Sequence, residues 1–428
     1  MHIVHYSQHV LGVGHLFRSL EIAKALAPHR VDLVTGGEHV PVDLPDHVRH
    51  VPLPALSMDG DFQRLLSTRS GHGGDDPDLI ASIMDERRTR LLEHVRRVRP
   101  DIFLVELFPF GRKRFGFEIL PVLKVLRAGE FGTCRAVCSV RDILVEKSDQ
   151  DTFEQRVLNH LNTLFDLVLV HSDPSLVRLD ETFSRVAEIV PELRYTGYVS
   201  LAVDPASGVA LRRELGLAAS DRLIVASAGG GAVGGNLLRA VVRASEQLHQ
   251  RLPHRLQVFT GPFMEQSVAE ELQYLAQSQG HIRIERFTNR FTAWLSAADL
   301  SVSMAGYNTT MNLLAAGARA MVLPFAQNRE QSMRAQRLQR RGVMTVLKED
   351  DLAPSVFSGL LHDALNRGLN GRRGLGHQCL DDGVLPVVNL NGAATTAEIL
   401  VRFGVERQEH VVEAEVHAGK HSPQPDVA

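Results

Sequence analysis

Three groups of residues in this chain have the types and spacing to do chemistry. The first is a set of acids and cations at the ends of buried, strand-like runs. Glu106 follows an apolar run at 102–105, and Asp142 follows the run that ends in Ser139-Val140-Arg141. Each is a candidate base or acceptor contact, because the carboxyl ends of strands in open α/β sheets are where ligands bind. After Glu106, bulky apolar residues alternate with Arg112, Lys113 and Arg114. Arg112 and Arg114, with Arg141, are candidate contacts to a phosphate or an anionic membrane surface, and the phenylalanines of 106–117 could stack on an acceptor or dip into a bilayer interface. The competing expectation is a helix start whose aromatics join the core while the cations stay in water. The second group is two glycine turns: Gly12-Val13-Gly14 ahead of His15, and residues 228–236 with Gly229, Gly230, Gly231 and Gly234. The third is a small-residue turn, Met304-Ala305-Gly306, followed by Asn308, Thr309, Thr310 and Asn312. A helix starting near Asn308 turns its positive dipole end toward whatever lies over Gly306, which suits a phosphate.

These groups need rigid elements to hold them, and the apolar periodicity supplies alternating strands and helices. Strands are expected at 2–6, 30–34, 48–53, 100–105, 166–170 and 195–199, then at 222–227, 255–260, 281–285, 300–302 and 320–323. Helices fall between them, with Leu16, Leu20, Ile22, Ala23 and Leu26 forming an apolar face after His15. Such alternation predicts doubly wound parallel sheets. At 428 residues the chain exceeds one ordinary core, so two domains are expected. Residues 57–78, polar and rich in glycine and aspartate, read as a mobile surface loop, and 405–428 as a disordered tail.

Composition excludes several classes of function. A formal net charge of −3 offers no bulk attraction for nucleic acid. No apolar run approaches the ~20 residues that span a membrane, and the first residues form a strand rather than a signal peptide. The three cysteines, Cys134, Cys138 and Cys379, are odd in number and lack zinc-finger spacing, so core packing in a reducing cytoplasm is the expectation. There is no Asp-x-Asp pair suited to metal-bridged phosphate, and no metal or cofactor is expected. Gly229, Gly231 and Gly234 satisfy Gly-x-Gly-x-x-Gly literally, but the next strand ends without the acid that would hold a ribose, which counts against a nicotinamide cofactor.

Residues 298–331, from the Ala298-Asp299 strand through the turn, the helix and a Pro324-Phe325 strand end, resemble the nucleotide-sugar site of the GT-B glycosyltransferases related to the peptidoglycan N-acetylglucosaminyltransferase. The resemblance extends over most of the chain. The loop at Glu106 and the Arg141-Asp142 pair closely resemble a bacterial family of predicted glycosyltransferases. The implied architecture is a GT-B fold: two Rossmann-like domains facing each other across a cleft. Residues 1–200 would form the acceptor-side domain and 201–385 the donor domain. Residues 386–404 would form a helix crossing back to the first domain.

The resemblance also implies residue roles. Gly229, Gly230 and Gly231 would lie over the donor diphosphate, and Gly14 would face the cleft. Phe287 and Thr288 would border the base. Met304, Ala305, Gly306, Asn308 and Thr309 would hold phosphates and sugar, with Glu330 and Gln331 at the sugar. Two positions depart from the pattern: Glu330 replaces a glutamine, and Asn312 stands where related enzymes carry an acid that binds both ribose hydroxyls. The amide can accept one bond and donate another but loses the charge-assisted contact. The implied activity is metal-independent, inverting transfer of a hexosyl group from a nucleoside-diphosphate sugar, expected to be a UDP-sugar, to a small-molecule or lipid-linked acceptor. His15 is the first candidate for the base, followed by Glu106 and Asp142. Two alternatives stand beside it: a nucleotide-sugar hydrolase, because residues 12–18 satisfy Gly-x-Gly-His-x-x-Arg, and a nucleotide-sugar-binding protein without turnover.

Overall fold

The apolar runs form two parallel sheets. The structure, a computed structural model, describes residues 1–9, 14–37, 43–58, 64–67, 76–130, 132–366 and 388–419. Gly12, Cys379 and residues 59–63 and 68–75 of the expected mobile loop lie outside the described residues. The chain divides into two units, one formed by residues 1–174, 178–199 and 391–428, the other by 175–177 and 200–390.

In the first unit the strands are β1 (His2–Ser7), β2 (Arg30–Thr35), β3 (Val48–Pro52), β4 (Leu56–Met58), β5 (Leu65–Ser67), β6 (Ile102–Glu106), β7 (Arg135–Arg141), β8 (Leu167–His171) and β9 (Glu192–Tyr195). Seven of them make one parallel sheet in the order β3-β2-β1-β6-β7-β8-β9. β4 and β5 pair antiparallel, so part of the segment expected to be a loop is a small hairpin. Leu56 and Met58 are buried, and this apolar alternation outweighs the polar composition around it. The last strand lies at Glu192–Tyr195 rather than 195–199, because Gly197 takes a left-handed φ of 85° that ends the extended run.

Both faces of this sheet are covered, as parallel strands require. On one face, helix Gly14–Ala25 and helix Gly392–Gly419 bury Leu16, Leu20, Ala397, Leu400 and Phe403 against Ile3, Leu104 and Leu169. Helix Gly392–Gly419 continues through residues expected to be a disordered tail. Residues 405–418 contain no glycine or proline and are mostly good helix formers, and the prolines come only at 423 and 425. The other face buries helices Pro77–Val98, Gly116–Arg127 and Gln150–Leu164. Cys134 and Cys138 sit in that core, and burial pushes their thiols up, Cys134 to about 12.

In the second unit β10 (Leu223–Ser227), β11 (Arg255–Phe259), β12 (Ile282–Glu285), β13 (Leu300–Met304), β14 (Ala320–Leu323) and β15 (Thr345–Val346) form a parallel sheet in the order β12-β11-β10-β13-β14-β15. Asp299 fastens the two central strands: its Oδ2 accepts from the Leu223 N–H at 2.8 Å and from Arg212 Nη1 at 3.1 Å. This gives the aspartate ahead of β13 a structural task. Helices Gly235–His249 and Pro354–Asn366 pack with β10, β11 and β13 around Leu237, Val241, Phe357 and Leu361. In both sheets the chain order reverses beside the first strand, between β1 and β6 and between β10 and β13, which opens a crevice at the carboxyl ends of those strands.

Candidate active site

The first unit places a buried hydrogen-bonded network at its β1/β6 reversal point. Glu106, the last residue of β6, is 1% exposed. His15, the second residue of its helix, lies with Nδ1 3.1 Å from Glu106 Oε1, and Arg18 one turn later donates to the same oxygen. Ser139 of β7 donates to Glu106 Oε2 at 2.7 Å. The Ser139 hydroxyl also lies 2.8 Å from His171 Nε2, and His171 Nδ1 lies 2.8 Å from Thr196 Oγ1. His15 Nδ1 lies between Glu106 Oε1, which only accepts, and Arg18 Nη2, 3.0 Å away, which only donates; with its proton on Nδ1 toward Glu106 the lone pair is on Nε2.

The electrostatics follow from burial and these contacts. Burial alone would raise the Glu106 carboxyl, but the Arg18 charge and the His15 hydrogen bond overcome it and hold the group well below the usual carboxylate range. Burial lowers His15 to about 3, only partly opposed by Glu106. Burial likewise lowers His171 to about 3 and His5, beneath the network on β1, to about 4. Arg112 falls to about 10 through burial, with Glu106 opposing and Arg141 adding to the fall, so these two cations share the field of the site. The backbone after Glu106 is strained: Leu107 and Arg112, neither a glycine, have φ of 67° and 57°. Left-handed bulky residues of this kind persist where surrounding contacts over-determine them, often at functional sites. Here the Leu107 N–H donates to Ser139 O at 2.7 Å, tying the loop to the next strand.

The sequence candidates therefore separate. His15, Glu106, Arg112 and Arg141 come together. Both oxygens of Glu106 are engaged, by His15 and Arg18 on one side and Ser139 on the other. Asp142 is fully buried just past β7. Arg114 is exposed on the short 3-10 turn Lys113–Phe115. The expectation that the loop's phenylalanines stack on an acceptor or a bilayer is corrected: Phe108, Phe110 and Phe115 are at most 3% exposed and belong to the core. Lys113 and Arg114, between Phe110 and Phe115, stay in water. Arg18 enters the sequence reading only as the last residue of Gly-x-Gly-His-x-x-Arg, and Ser139, His171 and His5 are not singled out by sequence. Only their places at strand ends and one helical turn from His15 could have marked them.

The second unit fills its β10/β13 reversal point differently. β10 and β13 pair Ser227 with Ser303, and a helix begins just past each strand end. Gly234 precedes helix Gly235–His249, and Gly306 precedes helix Tyr307–Ala315. Neither end has a side-chain cap. First-turn N–H groups of both helices are thus left to a ligand or solvent, with the two dipoles adding. Gly229, Gly231 and Gly234 have φ of 66°, 92° and 103°, a conformation open chiefly to glycine. The turn lies against the other helix start: a Cβ on Gly229 would stand 3.4 Å from Thr309 Oγ1, and one on Gly234 2.8 Å from Met304 Cγ. At Gly306, with an ordinary φ of −61°, a Cβ would meet nothing within 4 Å, so open space lies beside it.

The remaining donor-side candidates spread around this point. Met304, Ala305, Thr309 and Asn312 are buried and Asn308 is half-buried. Gly230 is exposed and lies against Phe263, itself 51% exposed and absent from the sequence reading. Phe287 is 63% exposed just past β12, and Thr288 Oγ1 accepts from the Arg290 N–H. Glu330 is buried on Arg334 at 2.8 Å, whose guanidinium lies 4.9 Å from the Tyr307 ring centroid. Gln331 accepts from the Phe325 N–H at 3.0 Å. Both therefore brace the turn after β14 in this conformation.

Comparison with known proteins fits this geometry. Residues 226–370 match the glycosyltransferase family 28 C-terminal domain. No curated protein matches by sequence. Among solved structures, the calicheamicin glycosyltransferase CalG4 is 16% identical with 99% of each chain covered and a TM-score of 0.53. MurG of Acinetobacter baumannii is 15% identical, with 93% of this chain and 94% of the other covered and a TM-score of 0.51. Phytolacca americana UGT2 complexed with UDP-2-fluoro-glucose and pterostilbene is 14% identical, with 86% and 91% covered and a TM-score of 0.53. Residues 226–370 thus match a family 28 glycosyltransferase C-terminal domain, and the chain has the GT-B fold of these structures.

Proposed function

We propose that this protein transfers a sugar from a nucleoside-diphosphate donor held by the second unit, with His15 of the first unit as the base for the acceptor hydroxyl. The observation that carries this reading is the pair of uncapped helix ends laid against each other around the glycine turn, inside the matched domain. Backbone N–H groups of the 229–235 turn and of Tyr307, Asn308 and Thr309 would neutralise the departing diphosphate. This stabilisation operates without a bridging metal. UDP is the favoured nucleotide, since a relative of this fold is complexed with UDP-2-fluoro-glucose. Phe287 and Thr288 would border its base, and Asn312 its ribose.

His15 Nε2 would take the proton of the acceptor hydroxyl while Glu106 stabilises the imidazolium through Nδ1–H. An imidazole held near 3 is a weak base toward a free alcohol. It becomes competent as the bond to the anomeric carbon forms and acidifies the hydroxyl, so proton transfer is expected late in an inverting displacement. Arg112 and Arg141 would meet an anionic group of a small-molecule or lipid-linked acceptor. If such an acceptor is membrane-borne, the exposed Lys113 and Arg114 would give peripheral contact. Among the described residues no helix is long and apolar enough to cross a membrane, and a cytoplasmic location is proposed.

The test is a thermal-shift panel of UDP, GDP, TDP, CDP and NAD. A ligand at a hundredfold excess over its Kd stabilises by about 2.7 kcal/mol. A shift with one nucleoside diphosphate and none with NAD is expected. A shift with NAD alone would overturn the reading. Incubation with the matching nucleotide sugar then separates the chemistry: sugar release without an acceptor marks the hydrolase that the Gly-x-Gly-His-x-x-Arg turn allows, and binding without any product marks a non-catalytic binder.

A further inference from the structure

The edge of the second sheet opposite the glycine turns gathers three histidines that the transfer reaction does not use. His249 ends helix Gly235–His249, His254 immediately precedes β11, and His281 immediately precedes β12. Parallel pairing of β11 with β12, Leu256 beside Ile282, brings the last two together. One ring nitrogen from each of the three lies within 4.8 Å of the others. The rings of His249 and His281 stack with centroids 3.7 Å apart, and His254 stands edge-on to both at 5.4 Å.

The hydrogen bonds fix which nitrogen of His254 is available, and at His249 they leave Nε2, because Nδ1 accepts the His254 N–H at 3.4 Å. His254 Nδ1 lies 2.8 Å from Leu252 O, and a carbonyl only accepts, so Nδ1 carries the proton and Nε2 the lone pair. An N–H donated to a backbone carbonyl, with the opposite nitrogen left to ligate, is how metal-binding histidines are oriented. That Nε2 and the His281 Nε2 converge on the buried Ser245 hydroxyl, at 2.8 and 3.2 Å. Burial and the neighbouring imidazoles lower His254 and bring His281 to about 4. The rings of His254 and His281 are therefore neutral at neutral pH, the form that binds metal.

We propose that His249, His254 and His281 form a binding site for a divalent transition metal, with zinc the ion that three imidazoles and an open fourth position suit best. Zinc–nitrogen bonds of ~2.0–2.1 Å set ligand nitrogens roughly 3.3 Å apart, so the rings close in by about 1.5 Å. His249, half-exposed at a helix end, turns out of the stack to do so. The ion would fasten the end of that helix to the starts of two strands. The site stands apart from the glycine turn, since all three residues lie at the amino edge of the sheet, and it does not depend on the transferase reading.

The full chain, stripped with a chelator, is melted with zinc chloride or magnesium chloride, and retained zinc is counted after dialysis. Zinc at a hundredfold excess over its Kd is expected to raise the midpoint by about 5 °C, with one equivalent retained and no effect of magnesium. Cobalt(II) should give the intense visible bands of a tetrahedral site. His249→Gln, at a half-exposed helix end where the fold tolerates it, and the double variant His254→Gln/His281→Gln should each abolish the shift and the bands. The proposal is overturned if zinc neither binds nor shifts the wild type. It is equally overturned if His249→Gln responds like the wild type, which would place the ion among other members of the chain's 20 histidines.

Discussion

The two sheets reverse their strand order at the same place yet fill that place with opposite chemistry. At β1/β6 the first unit gathers an imidazole, a carboxylate, a guanidinium and a hydroxyl, with Glu106 held by His15, Arg18 and Ser139. At β10/β13 the second unit presents glycine backbone, small side chains and two uncapped helix ends. In the proposed reaction one edge would move a proton, and the other would solvate an anion with fixed dipoles. The difference lies in the first residues of each βα turn. Side chains that titrate must be buried and hydrogen-bonded to hold one orientation, whereas backbone amides come already oriented by the helix that carries them.

The largest expected effect separates these roles. His15→Ala should lower kcat by about 10²–10⁴ while leaving the donor Kd within a factor of two to three, as steady-state rates and titration of a nucleoside diphosphate would read. Glu106→Gln should follow in the same direction with a smaller loss, since in the proposed reaction it would act through His15. An equal loss of donor affinity in His15→Ala would break the division between the two edges. Gly234→Ala probes the other edge. At a φ of 103° and with its new methyl against Met304, alanine costs about 1–3 kcal/mol, so the donor should bind tenfold or more weakly. A fall in kcat at saturating donor without that weakening would contradict the assignment.

Acid should distinguish the units next. His5, His15 and His171 are lowered to about 4, 3 and 3, while unfolded imidazoles take up protons near 6.5. The unfolded chain then binds more protons than the folded one below pH 6.5, so stability falls as pH drops from 6.5 toward 3. Glu106, depressed in the folded state, adds stability above its unfolded value near 4.3 that is lost as pH falls further. Hydrogen exchange across pH 7 to 5 should open β1, β6 and β8 before β10 and β13. Earlier opening of the second sheet would remove the contrast. The smallest effect is expected at Asn312→Asp. Restoring a carboxylate in a helix that already carries the site should tighten nucleotide binding by no more than about tenfold, the worth of one charge-assisted hydrogen bond.

Much of this arrangement is legible in the residues themselves. The runs that become β10 and β14 are apolar stretches closed by glycine or proline, β13 alternates apolar residues with serine ahead of Gly306, and residues 228–234 announce a glycine-rich turn. The loop at Glu106 is conspicuous by composition, but its aromatics face the core. The deciding fact there is which side of the loop meets the core, and alternation along the chain does not specify it. β9 and the helix through residues 405–419 depart from the expected pattern, because a left-handed glycine ends the one and a polar but helix-favouring composition sustains the other.

The chain by itself determined the class of fold, the glycine turn at 228–234 and His15 as a base candidate, because periodicity and glycine's freedom are local properties. Tertiary structure decided what His15 can do. Its partner Glu106, Ser139 bonded to Glu106 and His171 bonded to Ser139 come from three parallel strands, and parallel pairing brings together residues far apart in sequence. The same crossovers set His249, His254 and His281 side by side. Proximity created by a crossover leaves no spacing in the sequence to read, and for that reason these contacts appear only in the folded chain.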